Sequence, residues 1–152
     1  MKVYLDRGAV MPTRAHGTDA GLDLYARRSA DIPARGSAVF DTGVHIQLPH
    51  GTYGKIESKS GLNINSDIVS CGGVIDEGYT GSIKVKLYNL GDRPFIFHMG
   101  EKIAQLIVQP CLYVEAEQTN DWGNDTERGN NGFGGFRSPC SADTGADNGR
   151  NG

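Results

Sequence analysis

Two polar side chains interrupt stretches that are otherwise apolar. Asp23 lies within the run Leu22–Ala26, and Gln105 lies within the run Lys102–Val108. A carboxylate in such a run either faces solvent at the edge of a sheet or lies near a metal ion. An amide in such a run needs hydrogen-bond partners, which are either backbone groups or a bound water molecule. The residue types leave both pairs of alternatives open.

A lysine between two serines follows another apolar run. The segment 58–62 is SKSGL, and a short helical turn is predicted over Ser60–Asn65. The Lys59 ammonium, the Ser60 hydroxyl and the backbone N–H groups at a helix start can together bind an anion. Ser60 can equally act as a helix cap, which requires no ligand.

An acid and an aromatic ring lie three positions apart in the segment 73–81, GVIDEGYTG. Asp and Gly are ordinary turn residues, so this segment predicts a β-hairpin. Asp76 directly follows an apolar run that we expect to be buried. A carboxylate fixed at such a place can accept a proton from water, and Tyr79 can pack against the face of a sugar.

One cation and one ring stand among glycines in the segment 128–134, RGNNGFG. Such a segment can order over a ligand, with the Arg128 guanidinium on a phosphate and the Phe133 ring on a base. The alternative is a solvated tail that carries both residues by chance.

The elements that must position these groups are short. The sequence has 22 glycines and six prolines in 152 residues, and its apolar runs are β-branched and recur about every ten residues. This spacing is typical of an all-β sandwich or barrel. The predicted strands are Lys2–Leu5, Leu22–Ala26, Ala38–Asp41, Val44–Leu48, Thr52–Glu57, Ile68–Val69, Gly73–Asp76, Ser82–Asn89, Pro94–His98, Lys102–Val108 and Leu112–Ala116.

The composition changes near residue 120, where large apolar side chains become rare. Such a segment cannot bury enough surface to fold by itself. We therefore predict a β domain over residues 1–117, a flexible glycine-rich C-terminal arm over 118–137 and a disordered tail over 138–152.

Charge and cysteine content exclude several classes of function. The net charge of −3 gives no basic surface for nucleic acid, so an anionic ligand must be held by local groups. No stretch approaches 18 apolar residues and no signal peptide is visible, which predicts a protein that neither spans a membrane nor is exported. Cys71, Cys111 and Cys140 lack metal-ligand spacing, which favours reduced thiols in the cytoplasm.

Five segments, taken in order, resemble the motifs of the trimeric deoxyuridine triphosphatases (dUTPases). They are AGLDL at 20–24, SKSGL at 58–62, GVIDEGYTG at 73–81, GEKIAQL at 100–106 and RGNNGFG at 128–134. The resemblance implies a distorted jelly-roll-like β-barrel subunit of the β-clip type. It also implies a homotrimer with active sites shared between subunits.

The resemblance implies a role for each motif. Asp76 would orient and deprotonate the attacking water, and Gln105 would hold that water or a phosphate oxygen. Asp23 would contact the waters of a magnesium ion chelated by the triphosphate. Tyr79 would stack beneath the deoxyribose and exclude a 2′-hydroxyl. The residues implied to bind substrate are Lys59, Ser60, Gly61, Ser70, Gly73, Val74, Ile75, Tyr79, Lys84, Arg128, Phe133 and Gly134.

The implied reaction is hydrolysis of dUTP at the α-phosphorus, which gives dUMP and pyrophosphate. One alternative is a dCTP deaminase or a bifunctional deaminase–dUTPase of the same fold. A second is a non-enzymatic protein that binds dUTP as a regulator.

Several positions depart from the family pattern. Lys59 stands where an arginine is usual. A guanidinium can donate two parallel hydrogen bonds to a phosphate, whereas the lysine ammonium acts as a compact point charge. Ser70 stands where asparagine is usual, and Thr80 stands where arginine is usual. Asn131 replaces a glycine in the arm, and a shift of this motif would make Phe136 the stacking ring.

Overall fold

Short strands and a single helix account for the regular structure of the described chain. The computed structural model describes residues 1–71, 73–120 and 126–127. The elements are β1 (Lys2–Leu5), β2 (Leu22–Tyr25), β3 (Ala30–Ile32), β4 (Ser37–Asp41), β5 (Val44–Gln47), β6 (Thr52–Glu57), α1 (Ser60–Ser66), β7 (Ile68–Ser70), β8 (Val74–Ile75), β9 (Lys84–Asn89), β10 (Phe95–Phe97) and β11 (Lys102–Pro110).

Hydrogen bonds divide these strands among four antiparallel sheets. The largest has the order β2-β11-β6-β8, and a second has the order β4-β9-β7. β1 pairs with β5, and β10 pairs with β3. The all-β prediction is confirmed, and none of the four sheets in the described chain closes on itself into a barrel.

Side-chain alternation along the strands builds the core. In β9, Val85 and Leu87 are buried while Lys84 and Lys86 are exposed, as the sequence pattern predicts. The largest sheet contributes Leu24 from β2 and Leu106 from β11, both fully buried. Burying such a leucine stabilises the fold by about 1.5–3 kcal/mol, so these contacts fix the strands that carry the polar residues.

Two predicted elements and one that was not predicted differ in outcome. The helical turn is confirmed as α1. The strand β3 was not predicted, because only three residues separate Ser29 from Pro33 and so short a run gives no alternation. The predicted strand over Leu112–Ala116 is wrong: those residues pair with no strand of the described chain, and Leu112 is 86% exposed.

The chain divides into two compact units, Met1–Val114 and Glu115–Gly152. All the elements named above belong to the first unit. The flexible arm and the disordered tail stay predictions, because nearly all of their residues lie outside the described chain.

Among the described residues, no helix is long and apolar enough to cross a membrane. Cys71 and Cys111 carry free thiols, and Cys140 lies outside the described residues. The cytoplasmic location stays a prediction.

Candidate active site

Three polar side chains lie in one row across the largest sheet. Gln105 of β11 lies opposite Asp23 of β2 on one side and opposite Glu57 of β6 on the other. Directly opposed residues of antiparallel strands project from the same face of a sheet. The two residues that interrupt apolar runs in the sequence are therefore neighbours in the fold.

Asp23 is a buried carboxylate held between two lysines. It is 6% exposed, Lys59 Nζ contacts its Oδ1, and Lys102 Nζ lies 2.6 Å from its Oδ2. Burial alone would raise the pKa of Asp23, but hydrogen bonds from Lys102 and Lys59 outweigh that effect and lower the pKa below its usual value. The carboxylate therefore neither faces solvent nor lies unpaired.

The helix start places Lys59 beside this carboxylate. Lys59 has extended backbone at the N-cap position of α1, and its carbonyl accepts a hydrogen bond from the Asn63 N–H at 3.0 Å. Ser60 is the first helical residue and is exposed, and no side chain among the described residues caps the helix. The alternative in which Ser60 caps the helix is wrong, because the chain turns one residue earlier.

Lys102 is a neighbour of Asp23 that the sequence analysis did not single out. It lies three positions before Gln105, and in a regular strand that spacing would put the two side chains on opposite faces. The pairing of β11 with β2 shifts register between Lys102 and Ala104, which is a bulge. A bulge inserts one extra residue, so Lys102 and Gln105 reach the same carboxylate region. The only sequence signal for Lys102 was its place inside the fourth motif.

Gln105 finds a backbone partner. Its Nε2 donates a hydrogen bond to the Ser58 carbonyl at 3.0 Å. Its Oε1 lies over Gly21, where an added Cβ would be only 2.3 Å away. The amide orientation thus depends on a glycine at position 21.

The turn that carries Asp76 and Tyr79 is not a β-hairpin. β8 pairs with β6, whereas β9 pairs with β4 and β7, so the strands on either side of the turn belong to different sheets. Asp76 is exposed, and its carbonyl accepts the Tyr79 N–H at 3.0 Å. The Tyr79 hydroxyl donates to the Ser82 carbonyl at 3.1 Å, which fixes the ring over Gly81.

A small cavity lies beside this turn. Its volume is about 230 Å³, and Ser70, Gly73 and Val74 line it together with Cys71 and Glu57. Gly73 has a φ of +116°, and a Cβ there would lie 2.9 Å from the Ile56 side chain. Only glycine suits both that backbone conformation and that close approach. Ile75, which follows this segment, is buried.

The two groups of site residues lie on opposite edges of the same sheet. Asp23 lies on the edge strand β2, and Ile75, next to Asp76, lies on the other edge strand, β8. Ile75 pairs with Gly54, three residues along β6 from Glu57 in the Asp23 row. Asp23 and Ile75 are thus three strand spacings apart across the sheet and three residues apart along the strands, which places their backbones roughly 17 Å apart. One chain therefore does not bring Asp76 to the lysines.

Lys84 lies away from both groups of residues. Lys84 is exposed in β9 and pairs with Asp41 of β4, in a different sheet from Asp23. Arg128, Phe133, Gly134 and Phe136 lie outside the described residues.

The described residues do not form a resident magnesium site. No group of three or more His, Cys, Asp or Glu side chains in the described chain could hold a metal ion. Asp23 is a single carboxylate, and both of its oxygens contact ammonium groups. Magnesium is coordinated by oxygen atoms that are free of other partners, and it often binds through substrate phosphates.

The chain belongs to the dUTPase family, whose model matches residues 7–135. It is 37% identical over 136 residues to the deoxyuridine 5'-triphosphate nucleotidohydrolase of Debaryomyces hansenii, with 88% of this chain and 85% of that protein covered. It is 42% identical to the human mitochondrial protein of the same name, covering 86% of this chain and 51% of that protein.

Solved structures give the same result. A dUTPase of phage 80alpha superposes with a TM-score of 0.81 at 28% identity, covering 88% of this chain and 96% of that one. The dUTPase of phage phi11 of S. aureus superposes with a TM-score of 0.74 at 26% identity, covering 80% of this chain and 97% of that one. That protein is described as coordinating a structural Mg(II) ion, and another phage 80alpha structure contains dUpNHpp.

Proposed function

We propose that this protein hydrolyses dUTP to dUMP and pyrophosphate, and that Asp76 is the base that activates the attacking water. The observation that carries the role of Asp76 is its place in the turn. Its carboxylate is exposed, and it makes no side-chain hydrogen bond within the described chain. Such a carboxylate has free lone pairs to accept a proton from a bound water molecule.

Lys59 and Lys102 supply the positive charge for the triphosphate. Both ammonium groups contact the Asp23 carboxylate, and a bound phosphate chain would compete with that carboxylate for them. The Gln105 amide, the Ser60 hydroxyl and the Gly61 N–H add neutral donors. Phosphoryl chemistry depends mainly on such positioning and charge neutralisation.

The cavity beside the turn is our proposed site for the base. Backbone groups of Gly73, Val74 and Ile75 would read the edge of uracil, and Ser70 would line its side. Tyr79 would pack beneath the deoxyribose, where its fixed ring leaves no room for a 2′-hydroxyl. The dUTP preference over UTP would follow from that ring.

The separation of the two groups supports a site shared between subunits of a homotrimer. One subunit would supply Lys59, Lys102 and Gln105, and a neighbour would supply Asp76 and Tyr79. The arm residues Arg128, Phe133 and Gly134 would close over the γ-phosphate and the uracil ring, and Lys84 would bind substrate from its own sheet.

The substrate is taken to be the magnesium complex of dUTP. Bound magnesium neutralises part of the triphosphate charge. Asp23 would contact the waters of this ion once Lys59 or Lys102 has turned from the carboxylate to the phosphates.

Product analysis tests the proposed reaction. The protein is incubated with dUTP, UTP or dCTP, with and without magnesium, and pyrophosphate, nucleotide and ammonia are measured. Of the three nucleotides, we expect only dUTP to be hydrolysed, and its products should be dUMP and pyrophosphate. Ammonia from dCTP would instead identify a deaminase, and dUTP binding without turnover would identify a regulator.

We predict that Gly21→Ala lowers kcat for dUTP about tenfold, because displacing a positioned catalytic group by about 1 Å has effects of this order or larger. The new methyl group would displace the Gln105 amide that lies over position 21. Steady-state kinetics and a thermal melt measure the effect. Gly17→Ala is the matched control, since a Cβ at Gly17 meets nothing within 4 Å in the described part of the chain. An unchanged kcat in a folded Gly21→Ala variant would remove Gln105 from the reaction.

A further inference from the structure

Glu77 differs from the other residues of the turn that carries Asp76. The residues on either side of it, Asp76, Gly78, Tyr79 and Thr80, are exposed. The Glu77 side chain is only 29% exposed and is directed back onto the protein. The turn is thus attached to the domain through this carboxylate.

Three donors from two other segments hold the Glu77 carboxylate. The Gly51 N–H donates to Oε2 at 2.9 Å, His50 Nδ1 lies 2.9 Å from Oε1, and the Tyr113 hydroxyl donates to Oε2. His50 and Gly51 lie between β5 and β6, and Tyr113 follows β11. The hydrogen bond from Tyr113, followed by those from His50 and Gly51, lowers the pKa of Glu77 to about 2. Hydrogen bonds to an ionised carboxylate are roughly twice as strong as neutral ones.

These contacts bracket Asp76 between two fixed neighbours. On one side, Ile75 is buried and paired with Gly54 in the sheet. On the other side, Glu77 is held by its three donors. The hydrogen bond to Glu77 and, to a smaller extent, burial raise the pKa of Tyr113 to about 12. Asp76 therefore lies between a buried, strand-paired residue and a residue held by three hydrogen bonds.

We infer that Glu77 is a positioning residue: with His50, Gly51 and Tyr113 it fixes the backbone that aims Asp76 and Tyr79 at the substrate. This inference rests on the proposed function of Asp76. A carboxylate needed only for surface stability would affect melting and leave turnover per folded molecule unchanged. A positioning carboxylate affects turnover and sugar discrimination, because both depend on where the turn lies.

The test uses three variants of the full chain. Glu77→Ala removes the acceptor, Glu77→Gln restores one uncharged acceptor, and Tyr113→Phe removes a single donor without touching the turn. We expect kcat for dUTP to fall about 10- to 100-fold in Glu77→Ala, with partial rescue in Glu77→Gln and a smaller fall in Tyr113→Phe. The preference for dUTP over UTP should fall in the same order.

A second readout does not depend on activity. The Tyr79 N–H donates to the Asp76 carbonyl across the turn. Its hydrogen exchange should accelerate in Glu77→Ala relative to the unmodified chain, while core amides such as that of Leu87 keep their rates. Asp92→Asn is the control, since Asp92 is a surface carboxylate 2.8 Å from Arg35 and should change neither readout.

The outcomes separate the two proposals. An unmodified chain that leaves dUTP intact refutes the proposed function, and the exchange of the Tyr79 N–H still decides whether Glu77 fixes the turn. If the chain hydrolyses dUTP, an unchanged kcat and dUTP preference in folded Glu77→Ala and Tyr113→Phe overturn the positioning role. Unchanged exchange at Tyr79 overturns it as well.

Discussion

Asp76→Asn is expected to lower kcat for dUTP by about 10²–10⁴-fold, the range that a general base contributes. The amide has the shape of the carboxylate but cannot take a proton from water. Asp76 is exposed and makes no side-chain hydrogen bond in the described chain, so the substitution breaks no structural contact. Equilibrium binding of dUTP should therefore persist, and the melting temperature should stay near that of the unmodified chain.

Kinetics and binding are measured on the same preparation. A loss in kcat with retained dUTP affinity marks a group that acts only in the transition state. Asp92→Asn serves as the matched control, because it makes the same chemical change at an exposed ion pair with Arg35. Hydrolysis by Asp76→Asn at near the parental rate would show that another group is the base.

Two inactive variants are expected to restore each other's activity when co-expressed. The first is Asp76→Asn, and the second is the double variant Lys59→Gln/Gln105→Ala. In a mixed oligomer, a subunit with Asp76→Asn still supplies Lys59 and Gln105. An adjacent subunit with the double substitution still supplies Asp76, so one site between them is complete. With random assembly in a ring, about one site in four has both halves intact, so about a quarter of the parental activity should return.

This experiment follows from the position of the two groups on opposite edges of one sheet. Each variant purified separately and then mixed without subunit exchange is the control, and it should stay inactive. If co-expression also gives no activity above the separate variants, both groups act within one chain. The estimated separation between Asp23 and Ile75 would then have to be closed by a movement of the chain itself.

The strands could be predicted from the sequence where alternation was clear. In β9, lysines alternate with Val85 and Leu87, and the structure follows that pattern. β1 and β6 also match their predicted bounds, and each ends where a polar residue follows, Asp6 after β1 and Ser58 after β6. Whether a segment forms a strand could thus be predicted from its own residues, because their side chains suit a half-buried pleated surface.

Pairing could not be predicted in the same way. The turn over 73–81 has the composition of a hairpin, yet β8 pairs with β6 and β9 pairs with β4 and β7. Pairing partners depend on long-range contacts that local composition does not record. The same limit applies to Leu112–Ala116, whose apolar residues predict a strand but find no partner strand in the described chain.

The site was predicted in part. The motifs indicated Asp23, Lys59 and Gln105, and the structure brings all three together. The role of Lys102 depends on a bulge between Lys102 and Ala104, which no periodicity reveals. The anchoring of Glu77 depends on Gly51 and Tyr113, which are distant in sequence and adjacent only in the fold.

Hydrolysis of dUTP in water labelled with a heavy oxygen isotope tests the central claim most directly, when the products are weighed by mass spectrometry. Attack on the α-phosphorus by a water that Asp76 activates places the heavy oxygen in dUMP and none in pyrophosphate. Heavy oxygen in the pyrophosphate would contradict the account, because the water would then have reached a different phosphorus.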